Sequence, residues 1–582
     1  MATNKMSGGD ILNRALQRYN VHTCFALAGT AHAHLLLSME KNKATHPWTV
    51  ISSRHESATV AAADGYARAS GKLGIAMIVN EQGLPNAMGG ILTAQLAGSP
   101  VLVLSTLHAP SQVEVNSGRG DDELEMVKPF VKWARSVHSI ERLEEYVHAA
   151  ARQALSGRPG VAVLGIPGNM EGLAAEMAEK AEINVTIPVN AGPSDEAVER
   201  AADLLAKAKQ PLILLGTGAG LSGAGPAVRK LVQNYGFATM ANALGRGLVP
   251  EDLVHSFSWP LAQVAARHAD VVLCLGIRLT QRMGYGLAPR FAANAKFIQV
   301  DVNAEEIGRN RMPDIGVVSD ARLFAEKLDA ALAKRGVKNP GAPKWVNEAM
   351  TTRLARMDEL GRGDTGPIHP YRIARELMEQ MPEDAIYVGD GADTQNWMYA
   401  ILRIRKERAF MDHYPLGSMG IGTPLALGAA AWAKEEAGNT GKPPRPVVLV
   451  SGDGSFGFYA SEFNGAVMAG LKIVSIINND GGWGTEKHGQ VKNMGTHINV
   501  EFGHCDYQLI AQAYGANGVR VEKQADIAPA LKRAFAADGT TVINIITDPE
   551  AGRVRKEDPR VQCIAFDDLV SSLKTHYTPD VA

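Results

Sequence analysis

Short runs of valine, isoleucine and leucine alternate with alanine-rich amphipathic stretches along the whole chain. Apolar runs of roughly four to eight residues, bounded by glycine or proline, read as strands buried on both faces, with covering helices between them. On this pattern strands are predicted at 74–79, 101–105, 160–165, 211–215, 271–275, 296–302, 447–450 and 473–478. Their β-branched content favours strand over buried helix. Amphipathic helices are predicted at 10–19 and 371–380, and another starts near Ser455. Strand-then-helix repetition of this kind makes parallel sheets, so the expected fold class is α/β, with three doubly wound parallel-sheet domains.

Glycine and proline gather between these units at 182–195, 336–343 and 361–367. Such clusters mark linkers. They divide the 582 residues into domains at 1–185, 190–340 and 362–548, followed by a C-terminal extension at 549–582. The composition, 46% hydrophobic and 21% charged, is that of a soluble globular enzyme. A net charge of −2 leaves no basic field for nucleic acid or an anionic membrane. No apolar run reaches the roughly 18 residues of a membrane span, and no secretory core follows Met1, so a cytoplasmic location is expected. Cys24, Cys274, Cys505 and Cys563 lie far apart without a CxxC pair, which fits neither a disulfide framework nor a zinc site.

The candidate chemistry sits where strands end. The strand at 447–450 runs into Gly452-Asp453-Gly454, a helix begins near Ser455, and the next strand ends in Asn478-Asn479. Glycines admit a ligand close to the backbone, and a helix N-terminus offers unpaired N–H groups to a diphosphate. A carboxylate and an amide oxygen at the carboxyl ends of neighbouring strands are hard donors suited to Mg²⁺.

This segment resembles the thiamine diphosphate-binding motif. Two further segments resemble the same enzyme superfamily, which includes acetolactate synthase and oxalyl-CoA decarboxylase: "SSRHESATVAAADGYARASGKLGIAMIV" at 52–79 and "LGSMGIGTPLALGAAAWA" at 416–433. The resemblance covers residues 8 to 550 and implies thiamine diphosphate and Mg²⁺ as cofactors. It implies that Asp453 and Asn479 hold the metal, with the Gly481 carbonyl as third protein ligand, and that Gly452, Gly454 and Ser455 cradle the diphosphate. Ala392, Asp393 and Thr394, in "GDGADTQN", are expected to hold the diphosphate as well. Met419 takes the position whose apolar side chain props the cofactor into its bent shape. Glu56 takes that of the glutamate bonded to the pyrimidine N1′, which promotes loss of the thiazolium C2 proton. The first domain then binds the pyrimidine and the third the diphosphate. The middle domain, with "LLGTGAG" at 214–220 and "FIQVDVNAEEIGRN" at 297–310, resembles one that binds FAD, ADP, CoA or nothing. ADP or CoA is the expectation here. A homodimer at least, commonly a homotetramer, is implied.

Which branch of the superfamily is decided by side chains around the reacting carbon. The segment 118–130 departs from acetolactate synthases, with Arg119 near their expected glutamine. "NDGGWGTEKHG" at 479–489 is similar to the NDGYTIEK segment of pyruvate and indolepyruvate decarboxylases with one residue inserted, which makes Glu486 the candidate acid–base group. Thr30, His32 and His34 in one turn, and His108 after the strand at 101–105, are further candidates near the cleft. The basic run Arg403, Arg405 and Lys406 resembles a stretch of oxalyl-CoA decarboxylase and 2-hydroxyacyl-CoA lyase, where guanidinium groups would meet CoA phosphates. The tail, with Arg553, Arg555, Lys556 and Arg560, suits a lid over a large substrate. Together these imply a 2-hydroxyacyl-CoA lyase, similar to the actinobacterial type acting on 2-hydroxyisobutyryl-CoA, that forms formyl-CoA and an aldehyde or ketone. The alternatives are a 2-oxo acid decarboxylase or carboligase and a non-catalytic regulatory subunit. Retention of Glu56, Asp453 and Asn479 together argues against the last.

Overall fold

The computed structural model of the chain describes residues 3–27, 29, 31–79, 81–115, 123–178 and 185–552. Thr30, Arg119 and the four basic residues of the tail fall outside them.

Three six-stranded sheets form, each parallel throughout. The first runs in the order Thr49–Ser52, Thr23–Ala26, Gly74–Ile78, Val101–Leu107, Val161–Pro167, Trp133–Ser136. Numbered along the chain, that is 2-1-3-4-6-5. The third sheet, Phe410–Asp412, Ile386–Gly389, Val447–Gly452, Ile473–Asn479, Thr541–Ile546, Asn517–Val521, repeats the same order. The middle sheet reads 3-2-1-4-5-6, from Ser256–Ser258 through Pro211–Leu215 to Ile315–Val318. In all three, the order reverses between the first strand and a later neighbour, which opens a crevice at the carboxyl ends. A two-stranded antiparallel pair, Thr3–Ser7 with Ala174–Ala178, closes the first unit.

Each of the eight predicted strands is present within two residues of its predicted bounds. Central strands such as Val101–Leu107 and Ile473–Asn479 are buried along nearly their whole length, as continuous apolar runs require. Segment 185–194 and residues 335–343 carry no helix or strand.

The first and third units share one continuous hydrophobic core. The contact is made by the helices Glu56–Ser70 and Gly422–Thr440, which cross at backbone distance. A Cβ on Gly65 would lie 2.2 Å from the Leu425 carbonyl oxygen, and one on Gly428 would lie 1.9 Å from that of Ala62. Only glycine permits that approach. Among the described residues no helix is long and apolar enough to cross a membrane.

Candidate active site

The crevice of the third sheet opens where its strand order reverses, between Ile386–Gly389 and Val447–Gly452. Its walls are the turn 391–394, Met419, the turn 452–455, and the segment 480–486, around a cleft of about 750 Å³ that includes its open mouth. Two helix N-termini, those of Ala392–Ile401 and Asp453–Tyr459, point into it. Gly391 makes the entry turn at φ +84°, where a side chain would be strained and would press on Ser455. Thr394 is buried and accepts a hydrogen bond from the Asn478 amide at 3.1 Å. An anion in this cleft meets unpaired backbone N–H groups and the positive ends of both helices.

Asp390, which sequence reasoning passed over, organises the turn that carries Met419. Its carboxylate is fully buried and accepts from the N–H groups of Gly391 at 2.8 Å, Gly420 at 3.2 Å and Gly422 at 2.8 Å. Replacing Asp390 with alanine orphans three backbone donors and frees the turn. We expect catalytic efficiency to fall by about 100-fold, the scale of a misplacement near 1 Å. Steady-state kinetics at saturating cofactor would show it, and unchanged values would remove Asp390 from the site.

The metal ligands expected from the sequence converge at the same end of the sheet. Asp453 accepts from Gly454 N–H at 2.8 Å and from Gly481 N–H at 2.9 Å. Asn479 donates its amide to the Cys505 carbonyl at 3.1 Å and to the Asn544 side chain at 3.0 Å. Those two bonds fix the amide so that its oxygen faces away from them, toward His504 Nδ1 at 3.2 Å. Asp480 adds a second carboxylate. Burial pushes the Asp453 carboxyl up to about 7. Burial, with repulsion from Asp453 and Asp393, pushes that of Asp480 to about 9. Crowded buried carboxylates beside an oriented amide oxygen are a fit for a hard divalent cation, whose charge would relieve the repulsion. The Gly481 carbonyl, expected as the third protein ligand, has other partners in this structure. It already accepts from the N–H groups of Phe502 and Gly503, both at 3.0 Å, because the loop after 495 folds back antiparallel on Gly482. Among the described residues no three His, Cys, Asp or Glu side chains form a ready metal cluster.

Glu486 stands in the first turn of the helix Gly484–Met494, exposed at the cleft wall. The next residue, Lys487, is buried between Glu501 at 2.8 Å and Glu550 at 2.9 Å and pins this helix to the loop and to the end of the last strand. Trp483 lies on Gly454 and against Phe458 and Phe502, with ring centroids 6.3 and 5.4 Å apart. His488 is half-buried on the same helix, and burial holds its imidazole below the ordinary range, opposed by Asp393. Lys487, Trp483 and Asp480 are contributions the motif spacing did not single out.

The first domain presents the other half. Glu56 is the buried first residue of Glu56–Ser70, and the Asn86 amide donates to it at 3.1 Å. It is not among the residues lining the cleft of its own chain. His108 is buried at the carboxyl end of Val101–Leu107. His32 has every ring nitrogen engaged, with Glu171 at 2.7 Å and the Ile78 and Leu104 carbonyls at 3.1 and 3.2 Å, which makes it a framework residue. His34 is exposed beside Gly172.

The basic run is not brought to the cleft. Arg403, Arg405 and Lys406 follow the far end of Ala392–Ile401, a ten-residue helix and therefore about 15 Å from the turn at its start. There Arg405 pairs with Glu383, the Arg403 backbone N–H faces Met378, and Lys406 points to solvent. Sequence adjacency to the Met419 turn misled, since an intervening strand returns the chain to the carboxyl end.

A second cavity, of about 1400 Å³ including its opening to solvent, lies where all three units meet, at the carboxyl ends of the middle sheet. Gly216, Gly218, Arg158, Arg278, Asp301 and Tyr414 are among its walls. Arg278 and Arg158 both donate to the Leu96 carbonyl, at 2.6 and 3.1 Å. Burial holds the Asp301 carboxyl above its usual range.

Comparison with known proteins agrees with this geometry. Residues 6–127, 198–328 and 390–545 match the N-terminal TPP binding, central and C-terminal TPP binding domains of the thiamine pyrophosphate enzyme family. The chain is 30% identical over 585 residues to a 2-hydroxyacyl-CoA lyase of Oryza sativa, covering 95% of this chain and 97% of that one. It is 27% identical over 566 residues to human 2-hydroxyacyl-CoA lyase 1, covering 94% and 96%. It is also 28% identical over 557 residues to the acetolactate synthase large subunit IlvG of Mycobacterium tuberculosis, covering 95% and 98%. By overall identity the two branches lie about equally close to this chain. With three matched domains in order and a cleft lined by two helix N-termini and buried carboxylates, the chain belongs to the thiamine pyrophosphate enzyme family.

Proposed function

We propose that this enzyme is a thiamine diphosphate- and Mg²⁺-dependent lyase that cleaves a 2-hydroxyacyl-CoA to formyl-CoA and an aldehyde or ketone, and that also runs the reverse condensation. The observation that carries the reading is the large arginine-bearing cavity of the middle domain, whose wall includes Tyr414 and Pro415, close in sequence to Met419. It takes the adenosine diphosphate part of CoA or free ADP, with Arg158 and Arg278 toward phosphate and Asp301 toward ribose. The lyases among the relatives support the same substrate class.

In this reading Asp453 and Asn479 hold Mg²⁺, with Asp480 beside them. The turns 391–394 and 452–455 hold the diphosphate, and Met419 sets the cofactor's bend. When bound, the cofactor supplies an electron sink for breaking the bond between C1 and C2. Glu56 carries the proton exchanged with the pyrimidine N1′. It serves the cleft of a second copy, so the working unit is a homodimer or a dimer of dimers. Glu486, at the mouth, takes the 2-hydroxyl proton as the C1–C2 bond breaks and returns it to the carbon that leaves as the formyl group. His108 stands in reserve on the Glu56 side.

Replacing Glu486 with glutamine keeps its shape and removes the proton. We expect kcat to fall by about 100-fold with little change in KM, the pattern of a group that acts in the transition state. A rise in KM alone would make Glu486 a binding residue.

The deciding assay incubates the protein, thiamine diphosphate and Mg²⁺ with a panel of 2-hydroxyacyl-CoA esters, and separately with free 2-oxo acids. Formyl-CoA detected by mass spectrometry is the expected product. A second reading, 2-oxo acid decarboxylase or carboligase, is favoured by the acetolactate synthase relatives and would show as CO₂ release with inert CoA esters.

A further inference from the structure

We infer that Glu462, a buried carboxyl of the third domain, is a positioning residue for Glu56: it grips the backbone of the Arg54–His55 turn and so aims the first residue of the Glu56–Ser70 helix. The inference rests on the reading of Glu56 as the pyrimidine partner.

Glu462 opens the helix Glu462–Met468, directly after the Asp453–Tyr459 helix, and is 1% exposed. One carboxyl oxygen accepts from the Arg54 N–H at 2.9 Å, and the His55 N–H bears on the carboxyl as well. The other oxygen is fully buried with no hydrogen-bond partner. Three more contacts bind the same two segments. The Arg54 guanidinium reaches back to the Asn464 side chain and to Met468 Sδ at 3.2 Å. A Cβ on Gly465 would lie 2.5 Å from the Ser52 carbonyl oxygen. The His55 ring meets Tyr459 edge-on at 5.5 Å. Residues 52–55 are thus seated on the two helices that follow the metal turn, and the next residue in the chain is Glu56.

A buried carboxyl with a bare oxygen is a costly way to hold a turn, since a polar atom buried without a partner loses its hydration and gains no hydrogen bond in return. It is tolerated where the position of what it holds matters. A proton on the bare oxygen lowers that cost. Burial pushes the carboxyl up from its ordinary 4.5 to about 7, against the hydrogen bonds of Arg54 and His55. The charged and titratable groups facing it are Arg54 and His55 of the turn and Tyr459 of the preceding helix. From Gly422–Thr440, Lys434 donates to the Ala469 carbonyl at the far end of Glu462–Met468. Because the folded value lies above the unfolded one, the folded state binds more protons. The stability Glu462 contributes is therefore full below about pH 4.5 and is lost as pH rises through about 7.

The test compares Glu462→Ala, Glu462→Gln and Glu56→Gln, each loaded with thiamine diphosphate and Mg²⁺. Exchange of the cofactor C2 proton for deuterium is followed by acid quench and NMR. Melting temperatures of the same proteins are taken at pH 5 and pH 8. Exchange should slow by about tenfold or more in Glu462→Ala and recover to within about threefold in Glu462→Gln, whose amide oxygen still accepts from Arg54. Glu462→Gln should also gain melting temperature relative to the native chain at pH 8 but not at pH 5. Slow exchange in Glu56→Gln with native exchange in Glu462→Ala overturns the inference alone; native exchange in Glu56→Gln overturns the reading beneath it. If Glu462→Ala does not fold, Glu462→Asp takes its place, because the shorter side chain withdraws the acceptor from the Arg54 N–H; native exchange in that variant overturns the positioning role.

Discussion

Glu56→Gln should turn over at roughly 1/1000 of the native rate, a loss of about 4 kcal/mol of transition-state stabilisation, with the fold intact. Glutamine fits the same buried space, and its amide oxygen can still accept from Asn86. What it cannot do is exchange a proton with the pyrimidine. Circular dichroism should match the native protein while kcat collapses. Full activity would end the assignment.

A second consequence concerns which chain Glu56 serves. It does not line the cleft of its own subunit. Co-expressing inactive Glu56→Gln with inactive Asp453→Ala should therefore restore activity. Half the dimers formed at random are mixed, and each mixed dimer has one site with both native residues, so about a quarter of native activity is expected. No recovery would place both residues in one chain's site.

Asp453→Ala carries the other large effect. Asp453 accepts two backbone N–H groups, and in the proposed reading its carboxylate is a Mg²⁺ ligand. Removing an outer-shell partner of a metal typically costs about 10–100-fold in affinity, and removing a ligand should cost more. Calorimetric titration of Mg²⁺ in the presence of thiamine diphosphate should show that loss, with catalysis following it. Mg²⁺ affinity within a factor of three of native would mean that Asn479 and Asp480 suffice, and that Asp453 shapes the turn instead.

How much of this was legible beforehand depends on the range over which each feature is encoded. The eight strands were readable because burial on both faces demands continuous apolar runs, which are local. Short edge strands such as Ser256–Ser258 and Phe410–Asp412 carry too few residues to stand out. That Asp453 and Asn479 stand at neighbouring strand ends was readable because a strand–turn–helix–strand unit fixes its own geometry over a short span.

The sequence by itself determined the fold class, the cofactor family and the residues at strand ends, since apolar periodicity and glycine placement act between near neighbours. Tertiary structure alone decided the rest. It placed Arg403 and Arg405 at the amino end of the sheet, occupied the Gly481 carbonyl with the 502–503 backbone, crowded Asp480 against Asp453, and seated the turn before Glu56 on Glu462. Those pairings join residues tens to hundreds of positions apart. Which end of a sheet a segment reaches, and what meets it there, is a property of topology and packing that no local pattern encodes.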